Sequence, residues 1–459
     1  MMPNFLQKTF AIILNYGIKS IFRFGGGARH KSSSHGSVGV HKILRSEISD
    51  VKAFCEPAPK ETIFMRKIIS LFHKIHRFYM SFHQWLLAKT DAYLLRRRIY
   101  DKYLHSSKSR FSAVQLTPGQ EVEIQSLWET HYGRKINLDW HRYYQSYLHN
   151  ATGGGYDKYY FPFDIYRTEL LQILNPNRSA RAYGEKGLEE SFLHDSDVTV
   201  PKTLLLNTSG YFCDGKREII TAEKAAQILT SSGKIVVKPT NSNCGKDVRF
   251  FDSTDETASS LSGTSLLNTI MDTYRKDFIV QQHVQQHESL SRLHASSVNT
   301  IRVTTYILEG RVYATPLFLR VGRGNNQVDN IGAGGISIGI SDDGLLDEVG
   351  FSRKQDIYFQ HPDSGVTFNG YHIPNVRKMI EVATKLHGRI PHTGIISWDV
   401  TLDSDGNIVV IEHNIKCPGI TVMQYHGKSV FGENTPKMIA LCRKRKSDGS
   451  YKGTTTVSN

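Results

Sequence analysis

Apolar residues recur along the chain with two different spacings, which predict helices and strands respectively. Between Glu61 and Tyr103 they recur every three or four residues, which is typical of an amphipathic helix. Short runs rich in β-branched residues and bounded by turn residues predict strands instead. The clearest strands are 201–206, 234–238, 248–251, 278–280, 297–308 and 312–319, and further helices are predicted at 121–131, 222–229 and 375–387.

Two apolar strands joined by a tight turn are predicted between residues 395 and 414, because Asp403 to Asn407 has turn composition. Asp399 lies near the start of the first strand, and Glu412 and Asn414 close the second on one face. Folding the hairpin would bring three oxygen donors to one end, and Mg²⁺ prefers such donors. The alternative is a surface hairpin whose acidic side chains are merely solvated.

Positive charge is concentrated at the N-terminus. Residues 1–110 contain 20 Lys or Arg and 6 Asp or Glu, whereas the remaining 349 residues contain 37 of each. An anionic partner is therefore expected at this extension and not over the neutral remainder. Nucleic acid is not expected as a partner.

The basic segment 61–103 has two interpretations. Packing on the rest of the protein, or on a second copy, is favoured because apolar stripes at helical spacing are most often core. Peripheral contact of residues 1–110 with an anionic membrane is the alternative. Arg96, Arg97 and Arg98 are the part that packing explains least.

The cellular location is predicted from cysteine usage and from the apolar runs. Five scattered cysteines without a CxxC pair fit a reducing cytoplasm. No run reaches the roughly 18 apolar residues of a membrane span. No convincing cleavage site follows Phe5–Ile18, which favours an amphipathic N-terminus over a secretory signal. We expect a cytoplasmic protein, with peripheral contact at the inner face of the membrane as the alternative.

Three further motifs carry candidate chemistry. Lys238 ends a strand and precedes the small-residue loop Asn241–Gly245, which could cover a polyphosphate through its backbone N–H groups. His283, His287 and Glu288 invite a zinc interpretation, with His294 beyond them, but they lack the HExxH order. Cys417 is interpreted as a structural thiol, since no histidine–acid partner is evident.

Five segments in a fixed order carry a resemblance to a known superfamily. They are IVVKP with the loop NSNCGKDV, FIVQQHVQQHESL, SVNTIRVTTY, LFLRVG followed by VDNIGAGG, and WDV followed by EHN, in which Glu412 comes thirteen positions after Asp399. From about residue 115 to 435 this order resembles the ATP-grasp superfamily. It is most similar to the branch associated with sugar transfer and surface-polysaccharide clusters.

The resemblance implies an α+β fold in which two lobes clasp ATP between two antiparallel sheets, after a further N-terminal domain. We therefore expect a basic, partly flexible extension with an amphipathic helix at 1–110 and a small substrate-side domain at 111–200. The small lobe would occupy 201–285 and the large lobe with the metal site 286–440. A disordered basic tail would follow at 441–459.

Residue roles follow from the same resemblance. Lys186 and Lys238 would contact phosphates, the loop from Asn241 to Gly245 would be the mobile lid, and the hinge 281–284 would bind adenine. The implied nucleotide ligands are Lys186, Lys238, Asn241, Gly245, Gln282, Val284 and Glu288, the last at the ribose. Two Mg²⁺ ions would be held by Asp399, Glu412 and Asn414. The γ-phosphate and an acyl-phosphate intermediate would be bound by Arg302, Arg320 and Asn330.

The implied activity is that of an ADP-forming ligase, which joins a small-molecule carboxylate to an amine through an acyl phosphate and so forms a carbon–nitrogen bond. Its substrate would be a sugar acid or amino acid of surface-polysaccharide biosynthesis. A small-molecule kinase with the same ATP site and a non-catalytic nucleotide-binding protein are the alternatives. The chain departs from the family pattern at Gln281 and Gln282, where an acidic residue is usual, and at Ser397, where several relatives have arginine.

Overall fold

The computed structural model describes residues 59–176, 180, 183–193, 198–241, 247–252 and 263–447. The chain divides into two units, Met1–Phe82 and His83–Asn459. Predictions for residues 5–18, for Gly245 and for the tail beyond residue 447 lie outside the described residues.

A long helix, α1 (Pro59–Tyr103), occupies the predicted amphipathic segment. Phe78 and Tyr93 on this helix are 75% and 63% exposed. Ile99 is instead buried in the core of the second unit, together with Leu104 just beyond the helix. The last part of the predicted extension therefore belongs to that unit. None of the described helices is long and apolar enough to cross a membrane.

A helical layer follows α1. Its helices are α2 (Lys108–Phe111), α3 (Pro118–Tyr132), α4 (Asp139–Thr152), α5 (Phe163–Ile165) and α6 (Leu171–Leu174), with a π-helical turn at Tyr166–Leu170. Thr117 starts α3 with a capping box in which its side chain and that of Gln120 bind each other's backbone N–H. Aromatic rings interlock in the core of the layer, where Tyr147 stacks on Tyr425 at 3.9 Å between centroids.

Six antiparallel strands form the smaller sheet, preceded by α7 (Glu189–Leu193). Its strands are β1 (Thr203–Thr208), β2 (Tyr211–Asp214), β3 (Ile219–Ile220), β4 (Lys234–Pro239), β5 (Arg249–Asp252) and β6 (Phe278–Gln282), in the order β3-β2-β1-β6-β4-β5. Helices α8 (Ala222–Thr230) and α9 (Gly263–Tyr274) contribute Leu229 and Ile270 to its core.

Eight strands form the larger sheet, in the order β12-β11-β10-β9-β7-β13-β14, with β8 paired to β7. They are β7 (Thr300–Leu308), β8 (Arg311–Ala314), β9 (Leu317–Val321), β10 (Ile336–Ile340), β11 (Leu346–Ser352), β12 (Ile357–Tyr358), β13 (Ile395–Leu402) and β14 (Ile408–Asn414). The single strand predicted at 312–319 is thus two strands. Pro316 separates them, and they pair with opposite ends of β7.

The two faces of the larger sheet are covered differently. α10 (Glu288–Ser291) and α11 (Val376–His387) belong with one face, whose core includes Val303 and Trp398. The helical layer shares the other face with Tyr306 and Phe318. Arg302 and Arg320 are an even number of residues from these two, so they lie on the face that the helical layer covers.

The C-terminal helices complete the helical layer. They are α12 (Thr421–Tyr425) and α13 (Thr435–Ser447), and α13 packs against α3. The prediction of disorder from residue 441 is therefore wrong for 441–447. The reason is that Cys442 is 1% exposed and belongs to the core, which holds the last turns of the helix in place.

Candidate functional site

A row of charged residues crosses β14, β13 and β7. Asp399 is the register partner of Glu412 on one side and of Arg302 on the other. Arg302 donates from Nε to Oδ1 of Asp399 and from Nη2 to Oδ2, the latter at 3.0 Å. Directly opposed residues of antiparallel strands bring their side chains close together, so the register itself creates this ion pair.

Arg320 on β9 extends the row. Its Nη2 lies 3.1 Å from Oδ2 of Asp399, and its Nε lies 3.2 Å from Oδ2 of Asp329. Burial alone lowers the pKa of Arg320, but these two carboxylates outweigh burial and raise it above its ordinary value. Burial raises the pKa of Asp329. Asp329 was not predicted, and its only signal in sequence is its place before Asn330.

Asp399 remains an anion despite its burial. Burial raises its pKa, but the charges of Arg302 and Arg320 outweigh burial and hold the pKa below its usual range. Within the described part of the chain, Nη1 of each arginine makes no hydrogen bond to the protein. Each guanidinium can therefore donate to a ligand while it stays paired with Asp399.

The donor set of Asp399, Glu412 and Asn414 fits Mg²⁺ in kind, since it consists of hard oxygens. Asn414 donates to Oδ2 of Asp399 at 3.2 Å, so the three side chains share one end of the hairpin as expected. Oδ2 of Asp399 also accepts from Arg302 and Arg320, whereas Oδ1, among the described residues, accepts from Arg302 alone and keeps a lone pair. Oδ1 of Asp399, the Glu412 carboxylate and the Asn414 amide oxygen would hold the ion.

Two lysines face this end of the hairpin. Lys186 Nζ donates to Oε1 of Glu412 at 2.7 Å, and burial, which lowers its pKa, is outweighed by Glu412, so the pKa is raised. Lys238 Nζ donates to Oε1 of Gln281 at 3.0 Å. Burial lowers the pKa of Lys238, although the charge of Glu412 opposes this. Lys238 therefore lies within the electrostatic reach of the same carboxylate.

Glu189 supports the end of the hairpin from α7 and was not predicted. Its Oε1 accepts from both the backbone N–H and Nδ1 of His413, at 2.5 and 2.7 Å. His413 Nε2 lies 2.8 Å from the carbonyl oxygen of Tyr183, so both ring nitrogens face acceptors. Burial lowers the pKa of His413, but Glu189 outweighs burial and raises it. This pair fixes the backbone between Glu412 and Asn414.

The predicted hinge joins the smaller sheet to α10. The backbone N–H of Gln282 donates to the Lys202 carbonyl at 2.9 Å, so it is already engaged. Within the described residues, the backbone groups of Val284 make no hydrogen bond, which leaves them available to a base edge. Glu288 is exposed in the first turn of α10.

Asn241 and Asn330 lie on loops. Asn241 accepts a hydrogen bond from Lys416 at 2.5 Å, which connects the start of the predicted lid to the loop after β14. The lid residue Gly245 lies outside the described residues. The Asn330 carbonyl oxygen accepts from the N–H groups of Ala333 and Gly335, and this defines the turn before β10.

The histidines after β6 have structural partners. Nδ1 of His287 accepts the Ser289 N–H and so caps α10. His294 lies within hydrogen-bond distance of Ser297 and of the Gly324 carbonyl. In the part of the chain that the structure describes, no three His, Cys, Asp or Glu side chains are grouped to hold a metal ion.

Comparison with known proteins identifies one matching family model, sugar-transfer associated ATP-grasp, over residues 166–437. No curated protein sequence matches the chain. Similar solved structures include a D-cycloserine synthetase, with 13% identity, TM-score 0.34 and coverage of 59% of this chain and 73% of the other. A D-alanyl-alanine synthetase A from Vibrio cholerae has 14% identity, TM-score 0.34 and coverage of 59% and 67%. A D-alanine–D-alanine ligase from Coxiella burnetii has 11% identity, TM-score 0.36 and coverage of 60% of this chain and 61% of the other.

Proposed function

Because the chain belongs to the sugar-transfer-associated ATP-grasp family, we propose that it is an ATP-dependent ligase that joins a carboxylate to an amine with release of ADP. The supporting observation is the charged row on the larger sheet. It combines a hard-oxygen donor set at Asp399, Glu412 and Asn414 with Lys186 beside it and Arg302 and Arg320 on the opposite side.

The electrostatics of the row suit phosphoryl transfer to an anion. ATP and a carboxylate repel each other unless cations neutralise both. Mg²⁺, when bound, would supply charge neutralisation between phosphate oxygens. Lys186 and Lys238 would bind the phosphates from the side of the smaller sheet. Arg302 and Arg320 would donate through Nη1 to the phosphoryl group in transfer.

The substrate carboxylate would take the γ-phosphoryl group to give an acyl phosphate and ADP. The amine nitrogen would then attack the acyl carbon, and inorganic phosphate would leave with the carbon–oxygen bond pair while the amine loses its proton. Water must be excluded in between, because it would hydrolyse the acyl phosphate. The resemblance assigns this exclusion to the segment from Asn241 to Gly245, and Asn241 accepts a hydrogen bond from Lys416 in the loop after β14.

The substrate class and location complete the proposal. We favour a sugar acid or amino acid of surface-polysaccharide biosynthesis, because the matched family is described by its association with sugar transfer. The location would be the cytoplasm. The exposed apolar side chains of α1, together with the positive charge of residues 1–110, support peripheral contact with an anionic membrane surface.

Release of ADP from ATP and Mg²⁺ tests this function, measured against sugar acids combined pairwise with amino acids. The wild-type protein should release ADP and phosphate only when both an acid and an amine are present. Glu412→Gln and Asp399→Asn should each lower kcat by about two orders of magnitude or more, because they remove charge from the metal donors.

Arg311→Gln is the control, since Arg311 is exposed on β8. It should leave kcat unchanged. A stable phosphorylated product formed without an amine would instead identify a kinase. Full activity of both Glu412→Gln and Asp399→Asn would refute the metal assignment. If the wild type released no ADP with any pair of acid and amine, a non-catalytic binding protein would be favoured.

A further inference from the structure

The two arginines predicted to bind the γ-phosphate do not by themselves offset the charge of an anionic substrate. Arg302 and Arg320 are both ion-paired with Asp399, and Arg320 also with Asp329. An anionic substrate that approaches ATP needs cations that the protein has not already neutralised. Two such guanidinium groups, those of Arg323 and Arg353, lie at the neighbouring edge of the larger sheet.

Strand order brings these two arginines to the same edge. Ile336 at the start of β10 is the register partner of Val321 at the end of β9 and of Ser352 at the end of β11. Arg323 and Arg353 therefore leave the sheet on either side of the turn 331–335. Arg353 lies on the face of the charged row, because its guanidinium group lies 5.4 Å from the centroid of the Tyr103 ring, which packs against the core shared with the helical layer.

Glycines in the turn face both guanidinium groups. A Cβ atom on Gly332 would lie 3.8 Å from Nη1 of Arg353, and one on Gly334 would lie 3.7 Å from Nη2 of Arg323. Gly334 also has a φ of +109°, which side chains rarely adopt. The backbone of the turn 331–335 therefore lies beside both guanidinium groups, without a side chain at Gly332 or Gly334 between them.

The positive charges of Arg323 and Arg353 are oriented without being cancelled. Arg323 donates to the hydroxyl group of Tyr358 and lies 5.7 Å from the centroid of its ring. Arg353 lies 5.4 Å from the centroid of the Tyr103 ring. Within the described part of the chain, neither arginine forms a salt bridge with a carboxylate. Aromatic and hydroxyl contacts fix a guanidinium but leave its charge available to an anion.

We propose that Arg323, Arg353 and the turn 331–335 form a subsite for a carboxylate or phosphate group of a substrate, distinct from the carboxylate that accepts the phosphoryl group. This inference rests on the ligase function proposed above. Arg320 and Phe351 both pair with Ser337 from opposite sides, so their backbones are two strand spacings apart, roughly 10 Å. The subsite thus recognises an anionic group remote from the reacting carbon, and the substrate class is a small molecule with a second anionic group.

Tyr103 is a positioning residue for this subsite. It lies at the end of α1, outside the family match of residues 166–437. Its contact with Arg353 means that the end of α1 helps to place a substrate-binding cation. The Arg353 backbone is also tied to the helical layer, because its carbonyl oxygen accepts from the Tyr147 hydroxyl at 3.4 Å.

Calorimetric titration tests the subsite without turnover. The full-length protein is saturated with a non-hydrolysable ATP analogue and Mg²⁺, and inorganic phosphate is then titrated as the probe. Arg353→Gln and Arg323→Gln should each weaken phosphate binding about tenfold or more, and Tyr103→Leu about threefold. Arg311→Gln, at an exposed position on the same sheet, should bind phosphate as the wild type does.

The first step of this experiment separates the two proposals. Failure of the ATP analogue to bind the wild type would refute the proposed function. Normal analogue binding with no phosphate binding, or with equal phosphate binding in every variant, would refute the subsite alone. Circular dichroism and analogue affinity show whether each variant is folded.

Kinetics identify which chemical group the subsite binds. With substrates found by ADP release, Arg353→Gln should raise KM about tenfold for a substrate with a second carboxylate or phosphate and change kcat little. An analogue in which that carboxylate is an amide, or that phosphate is absent, should show no such change. If KM changes between the carboxylate and its amide analogue, the subsite binds a carboxylate. If it changes between the phosphate and the analogue without it, the subsite binds a phosphate. An equal rise of KM for charged and neutral analogues would contradict anion recognition.

Discussion

At Asp399 the two carboxylate oxygens have unequal surroundings. Oδ2 accepts hydrogen bonds from Arg302, Arg320 and Asn414, whereas Oδ1 accepts only from Arg302 in the part of the chain that the structure describes. An asparagine there would leave two buried guanidinium groups without their shared anion, which is costly for folding. Glu412 is half-buried and shares one hydrogen bond with Lys186. Glu412→Gln is therefore the clearer test of catalysis, and Asp399→Asn needs a stability measurement beside it.

His141 gives the protein a predicted acid sensitivity. Burial lowers its pKa to about 4, so the folded state holds the ring neutral while the unfolded chain protonates it near pH 6.5. Below pH 6.5 the unfolded state binds more protons, and the free energy of unfolding falls until about pH 4. The loss from this residue should reach about 3 kcal/mol.

Urea denaturation between pH 7 and pH 4 measures this effect, with His141→Phe as the comparison. The variant keeps an aromatic ring beside Tyr160 and should lose less stability on acidification. Parallel pH profiles for variant and wild type would show that His141 is not the source. His426, whose pKa burial lowers to about 3, would remain in both proteins.

Single residues were predictable where the sequence kept them close together. Asp399, Glu412 and Asn414 lie on one hairpin, and the structure brings their side chains to one end of it. Glu189 was missed because it meets His413 across 224 positions, and nothing local reports such a contact. The sequence also gives no local signal for the proposed subsite, since Arg323 and Arg353 come to the same turn only through the strand order of the sheet.

On the level of the elements, the capping box at Thr117 contributes directly to the helical layer. Thr117→Ala removes the acceptor for the Gln120 N–H and should lower the free energy of unfolding by about 1 kcal/mol. Urea denaturation monitored by circular dichroism measures the change. Thr117→Ser keeps the hydroxyl group and should cost much less. An equal loss in both variants would mean that the cap hydrogen bond is not responsible.

Several strands and helices were predicted from their apolar patterns, whereas β10 and α4 were missed. Strands β4 and β7 and helix α11 follow their predicted segments within a few residues. β10 was missed although Ile336, Ile338 and Ile340 alternate with Ser337 and Gly339, because five residues make a short pattern and Gly and Ser are common in turns. α4 was missed because Tyr and His dominate it, and these residues have both apolar and polar parts, so that residue type alone does not identify its buried face.

For the whole molecule, the uneven distribution of charge predicts salt-dependent binding to vesicles. Vesicles that contain phosphatidylglycerol should retain the protein at low salt, and those of pure phosphatidylcholine should not. Arg97 and Arg98 are exposed on α1. Replacing both by Gln should weaken binding about tenfold or more, since each basic residue near an anionic surface contributes about 1 kcal/mol.

Sedimentation of vesicles measures this binding, with Arg311→Gln as the matched control. Equal binding of the double variant and the wild type to these vesicles would show that Arg97 and Arg98 of α1 do not contribute to membrane binding. Association of the free protein into dimers, observed by light scattering and abolished by the same double substitution, would instead assign the helix to contact between copies.

The face of the larger sheet that carries Asp399 and Arg320 continues under the aromatic helices of residues 99–174. In the proposed ligase, the use of ATP and the choice of substrate would therefore depend on different residues of one face. Exchanging the helices for those of another member would be expected to alter which compounds are joined while the dependence on nucleotide is retained. The same face of one sheet would thus carry a phosphate-binding row that all members share and a helical layer that differs with the substrate.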